Sequence, residues 1–171
     1  MSTPAERAWI GLGSNLDDPL NQVRTGLDRL AALPLTTLEK ASTLYRNPPM
    51  GPADQPDYIN AVAEVTTCLT PRELLRELQA VESSRGRSRG GEQWGPRPLD
   101  LDLLVYGEQR IDEPDLSVPH PGMPQRAFVL YPLAELAPEL VIPGQGRAAS
   151  LAARLSAGDL EPVADWQGPA N

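Results

Sequence analysis

The chain has 171 residues, 40% apolar and 22% charged, as expected of one globular domain with its own core and not of a disordered or fibrous chain. A formal net charge of −8 argues against a duplex-binding protein, whose phosphate contacts call for a basic excess, and no run of 18 or more apolar residues offers a membrane span. The opening MSTPAER lacks the apolar centre of a secretory leader, and a lone Cys68 cannot close an internal disulfide, so a cytoplasmic protein is expected with Cys68 as a small buried apolar residue.

Residues 8–13 read as a short strand, and Asp17 or Asp18 before Pro19 is a helix start signal. Val23, Leu27, Leu30 and Leu33 then recur at helical spacing until Pro34 closes the helix. Residues 36–46 predict a second strand, the turn-rich NPPMGPADQP a loop, and 58–69 a third strand by alternation. Thr70, Pro71 and Glu73 open a second helix carrying Leu74, Leu75, Leu78 and Val81, followed by a loop over 83–98. Residues 99–106 predict a fourth strand, which 107–109 turn into a short partner strand around Ile111. A helix over 125–136 and a short one over 151–155 follow, and 161–171 is expected to be loosely ordered. The order βαββαβ predicts the α+β class: a single domain over 1–171 with a ferredoxin-like, mostly antiparallel sheet and two helices on one face.

In a strand, side chains alternate faces, so Asp100 and Asp102 share one side while Leu99, Leu101 and Leu103 face the other. Their Cα atoms lie about 6.8 Å apart along a strand. That spacing lets both carboxylates bracket cations roughly 3.5 to 4 Å apart, and hard oxygen donors suit magnesium with waters and phosphates. A D-x-D pair in isolation is more often the solvent side of an amphipathic strand, yet aspartate is disfavoured in strands and two of them ask for a reason. Upstream, Arg85, Arg87, Arg89 and Arg97 occupy a glycine-containing loop that would either close over phosphates or remain a solvated basic loop, with Trp94 inside it. His120, between Pro119 and Pro121, is either structural or a phosphate donor. Tyr58 and Asn60 share a strand face and Phe128 comes from a later helix. They fit a flat heterocycle with donors and acceptors on its edge, and core packing accounts for the two rings equally well. The GLGSN run from Gly11 matches neither the GxxxxGK[ST] nor the GxGxxG pattern and is not read as a phosphate loop.

Five stretches carry a resemblance: GLGSN at Gly11, YRNPPMGPADQPDYINA at Tyr45, RGRSR at Arg85, WGPRPLDLDLL at Trp94 and VPHPGMPQRAFVLYPLAELAP at Val118. Together they resemble the 6-hydroxymethyl-7,8-dihydropterin pyrophosphokinases of folate biosynthesis, over residues 9–143. The resemblance implies a ferredoxin-like fold and transfer of diphosphate from ATP to the pterin hydroxymethyl group, releasing AMP. It implies two magnesium ions on Asp100 and Asp102, with Arg87, Arg97, His120 and Arg126 on the phosphates. Of these, Arg87, Arg97, Asp102 and His120 are the expected catalytic residues. Gln79, Glu82, Trp94, Leu103 and Ser117 would belong to the nucleotide site. Tyr58 and Phe128 would stack on the pterin, Asn60 would bond its edge, and Asn47, Pro48 and Met50 would complete the pocket. A monomer without nucleic-acid or membrane partners is expected, and the competing reading is a nucleotide- or pterin-binding paralogue without turnover. Gly90, Gln93, Asp115 and Pro121 depart from residues found in family members, which bears on nucleotide affinity and loop closure.

Overall fold

The structure, a computed structural model, describes residues 4–48, 56–85 and 98–168. Strand β1 (Glu6–Ser14) leads into helix α1 (Pro19–Ala31), whose N-cap Asp18 accepts from the Asn21 N–H while Pro19 occupies the first turn, where its missing N–H costs nothing. Strands β2 (Thr36–Ala41), β3 (Leu44–Asn47) and β4 (Tyr58–Thr67) follow, then helix α2 (Pro71–Ser84), opened by a complete capping box between Thr70 and Glu73. The hydrogen bonds that the Glu73 carboxylate accepts from Thr70 hold it below its usual range. Strand β5 (Asp100–Tyr106) carries the two aspartates, and β6 (Ile111–Glu113) and β7 (Leu116–Val118) form a hairpin beyond it. A 3-10 turn (Met123–Gln125) precedes α3 (Ala127–Leu136). The chain ends with the small pair β8 (Val141–Ile142) and β9 (Gly146–Arg147), helix α4 (Ala148–Ala153) and strand β10 (Glu161–Ala164).

The main sheet runs β10-β3-β4-β1-β5, with β2 lying end to end with β3 along β4, and every pairing in it is antiparallel. Helices α1 and α2 cover one face, packing Val23, Leu27, Leu30, Leu74, Leu78 and Val81 on Ile10, Leu12, Leu101 and Leu103. The other face is covered as well, because α3 and α4 bury Val129, Leu133 and Leu151 with Trp9, Val62 and Leu104. No helix among the described residues is long and apolar enough to cross a membrane.

Four expectations change. Helices cover both faces of the sheet, since the region after β7 folds back as a second apolar layer. The strand expected over 36–46 is broken at Ser42. Its N–H donates to the Val62 carbonyl at 2.8 Å, and its hydroxyl, in place of a main-chain carbonyl, accepts from the Val62 N–H at 2.9 Å. Ile111 pairs with Val118 of β7 and not with β5. Residues 161–164, expected to be loose, add a strand to β3, and Trp166 Nε1 donates to Asp28 at 3.0 Å. Cys68 is a free, half-buried thiol.

Candidate active site

The register of the sheet builds the site from three strands. Gly11 of β1 faces Asp102 of β5, Gly13 faces Asp100 on one side and Asn60 of β4 on the other. The register shift between Trp9 and Ile10 makes Leu104 an extra residue on β5, so that Leu104 and Val105 both pack toward α3 and α4. Leu101 and Leu103 pack toward α1 and α2, which leaves Asp100 and Asp102 on the α3 side. There a cavity of about 220 Å³ opens, lined by both aspartates, Tyr58, Asn60, Arg126 and Phe128, with Gly11 and Gly13 in its floor and Asn47 at its rim.

Each side chain is placed by a local device. Asn60 and Asn47 are both buried, and Asn60 Nδ2 donates to Asn47 Oδ1, a bond that holds the two amides as a unit between β4 and β3. Arg126 sits at the N-cap of α3 and lies 5.9 Å from the centre of the Phe128 ring, a cation-π distance that fixes both at the pocket wall. Glu135, two turns along α3, accepts from the Thr43 N–H at 2.9 Å and from the Tyr45 hydroxyl at 2.6 Å, tying the helix to β3.

His120 is held at three points. Its N–H donates to the Leu104 carbonyl at 2.9 Å, its carbonyl accepts from Gln145 Nε2 at 3.2 Å, and its Nδ1 accepts from the Gly122 N–H at 3.1 Å. An accepting Nδ1 puts the proton of the neutral ring on Nε2. Burial pushes the imidazole below its ordinary range; the Asp102 charge opposes that shift and the Arg126 charge adds to it. The ring is therefore a neutral Nε2–H donor at pH 7, in the field of one aspartate and one pocket arginine.

The remaining expected residues divide. Glu82 is buried, and its Oε2 accepts from the Leu101 N–H at 2.8 Å, binding the last turn of α2 to β5. Gln79 is exposed on α2. The Leu103 side chain is in the core, which leaves its main chain to face a ligand. Ser117 lines a separate cavity of about 410 Å³ with Arg110 and Gln145, outside the aspartate pocket. Pro48 is exposed beside Asn47, and Asp115 is engaged by the Arg72 guanidinium at 2.7 Å. Arg87, Trp94, Arg97 and Met50, together with Gly90 and Gln93, lie outside the described residues. What motif matching missed is the pair Gly11 and Gly13. The signal was their i, i+2 spacing in a strand, the same spacing that aligns the aspartates.

Among the described residues no group of three or more His, Cys, Asp or Glu side chains forms a ready metal cage. Two carboxylates on adjacent same-face positions instead suit a hard cation that completes its shell with water and substrate oxygens.

The family model of 7,8-dihydro-6-hydroxymethylpterin-pyrophosphokinase (HPPK) matches residues 9–138. The chain is 52% identical over 138 residues to the 2-amino-4-hydroxy-6-hydroxymethyldihydropteridine pyrophosphokinase of Pseudomonas aeruginosa, covering 81% of this chain and 85% of that one. Identity to the Haemophilus influenzae enzyme of the same name is 47% over 136 residues, with 80% and 84% covered. The crystal structure of wild-type Plasmodium falciparum HPPK-DHPS with pteroate superposes with a TM-score of 0.70 at 13% identity, covering 90% of this chain and 43% of that one, and shares the fold. A family match over most of the chain, joined to such identity over most of the length of bacterial relatives, shows that this chain belongs to the HPPK family.

Proposed function

We propose that this protein transfers diphosphate from ATP to 6-hydroxymethyl-7,8-dihydropterin, giving the pterin diphosphate and AMP, a step in tetrahydrofolate biosynthesis. The observation that carries the reading is one cavity in which a carboxylate pair, an arginine, two aromatic rings and a buried amide pair converge, in a chain of the HPPK family. The fold is read as ferredoxin-like because β5, β1, β4 and the β2/β3 strand lie in the order expected of a βαββαβ unit, with α1 and α2 on one face.

In this reading Tyr58 and Phe128 stack on the pterin ring, and Asn60, oriented by Asn47, reads the donor and acceptor groups on its edge. Asp100 and Asp102 would hold two magnesium ions. When bound, these neutralise phosphate charge and make the substrate hydroxyl more acidic. The hydroxyl oxygen attacks the β-phosphorus, a new O–P bond forms, the bond to the α-phosphate bridge oxygen breaks and AMP departs. In this reading the hydroxyl proton goes to Asp102 or, with the hydroxyl acidified, to water, while His120 Nε2–H and the Arg126 fork donate to the oxygens of the transferring group. Arg87, Arg97 and Trp94 complete the nucleotide side, with Gln79, Ser117 and the Leu103 main chain toward the base.

The decisive experiment follows AMP release from ATP with and without the hydroxymethyl pterin, in magnesium, after chelation, and after magnesium is restored. Pterin-dependent AMP formation that chelation stops and magnesium restores is expected. Tight ATP binding with no pterin-dependent AMP identifies a paralogue without turnover instead.

A further inference from the structure

We infer that Gly13 is a positioning residue for pterin recognition: by carrying no side chain it lets the Asn60 amide lie across β1 with Oδ1 over the pocket floor. The inference rests on the pterin reading above and adds to it what sets the direction of the amide.

A glycine inside a strand is disfavoured relative to alanine, so its presence asks for a reason. Backbone freedom is not that reason, because Gly13 lies in regular β1 and does not share the positive φ of Gly107, Gly144 or Gly146. Space is. A Cβ at Gly13 would stand 2.7 Å from Asn60 Oδ1, far inside van der Waals contact. Asn60 has no inexpensive way to yield: it is 6% exposed, and its Nδ2 is committed to Asn47 Oδ1, so turning the amide breaks that bond in a buried setting. The same gap lies directly between Asn60 on β4 and Asp100 on β5, so a ligand reaching from the amide to the carboxylates crosses Gly13. At Gly11, by contrast, an added Cβ would only touch the Leu104 side chain at 3.4 Å, an ordinary contact. The constraint therefore belongs to the position opposite Asn60.

The test is calorimetric binding of 6-hydroxymethyl-7,8-dihydropterin to the full chain in the presence of a non-hydrolysable ATP analogue and magnesium. Four proteins are compared: wild type, Gly13→Ala, Asn60→Ala and the double variant. Gly13→Ala is expected to weaken pterin binding by about tenfold or more, the effect of one misdirected hydrogen bond. Its affinity for the ATP analogue, measured without pterin, should stay unchanged. In the Asn60→Ala background, which removes the atom that clashes, adding Gly13→Ala should cost nothing further. Unchanged pterin affinity in Gly13→Ala overturns the inference. So does a further loss in the double variant relative to Asn60→Ala, because the methyl group would then act on the ligand directly. If Gly13→Ala alone fails to fold, the comparison of Asn60→Ala with the double variant, which lacks the clash, decides the matter. A wild-type protein that does not bind the pterin overturns the functional reading first and this inference with it.

Discussion

Glu82 Oε2 accepts the Leu101 N–H at 2.8 Å, so a side chain from the last turn of α2 does for β5 what a neighbouring strand would otherwise do. Among the described residues β5 pairs in the main sheet only with β1, and Leu101 lies between the two aspartates. An edge N–H buried without an acceptor would cost the full desolvation of that group. Glu82→Ala should therefore destabilise the fold by about 1–3 kcal/mol, and it should raise the magnesium requirement because the strand presenting Asp100 and Asp102 loosens. Urea denaturation and a magnesium titration of turnover measure the two effects. A variant as stable as the parent would show that Glu82 serves the ligand and not the strand.

Asp102 is exposed on its strand and belongs to neither core cluster of the described residues. Asp102→Asn keeps the shape and removes the charge. Turnover should fall by roughly 100-fold or more, while stability stays within about 0.5 kcal/mol of the parent. Steady-state AMP formation and a thermal melt are sufficient, and substantial residual turnover would remove this carboxylate from the reaction.

Burial, joined by the hydrogen bond and charge of Glu135, raises the Tyr45 hydroxyl to about 12 from an ordinary value of 10.0. A folded-state value above the unfolded one means that the folded protein holds the proton longer. The contribution to stability is then complete below pH 10 and is lost as pH rises through about 12. Stability of the parent should fall across that window more steeply than that of Tyr45→Phe. Tyrosinate absorbance near pH 10 should be the same for the folded parent and folded Tyr45→Phe, because the ring that the variant lacks is one that does not ionise there. Parallel stability profiles for the two proteins would sink this account.

Gly26 is buried in α1, where an added Cβ would stand 2.9 Å from Leu12 Cδ2 and 3.1 Å from Leu99 Cδ2. Alanine favours a helix by up to about 1 kcal/mol over glycine, yet overpacking a filled core costs about 1–3 kcal/mol. The second effect should win here, because both leucines are themselves buried. Gly26→Ala should lower the melting temperature by a few degrees, roughly 2–4 °C per kcal/mol for a chain this size. A rise in melting temperature would show that helix propensity dominates.

Local periodicity and chemistry were legible in the sequence. Period-two alternation put Asp100 and Asp102 on one face, the Asp18-Pro19 and Thr70-Glu73 signals located both long helices, and five motif stretches carried the resemblance to the pterin diphosphokinases. These features depend on neighbours a few residues away. The break at Ser42 was not legible, because a hydroxyl standing in for a main-chain carbonyl leaves no mark on hydrophobic pattern.

What the tertiary structure alone decided is everything that depends on non-local register. Strand order placed Gly11 and Gly13 against the aspartates and set Asn60 across from Gly13. The fold-back of α3 carried Arg126 and Phe128 to the same cavity, and pairing of β10 with β3 ordered residues 161–164, whose terminal position suggested otherwise. Sequence by itself determined which residues could do the chemistry and which face of their own strand they occupy, since side-chain direction repeats over two residues. Which of them meet, and why a glycine stands between them, follows from hydrogen-bond register between strands some 45 to 90 residues apart in the chain, which local pattern does not encode.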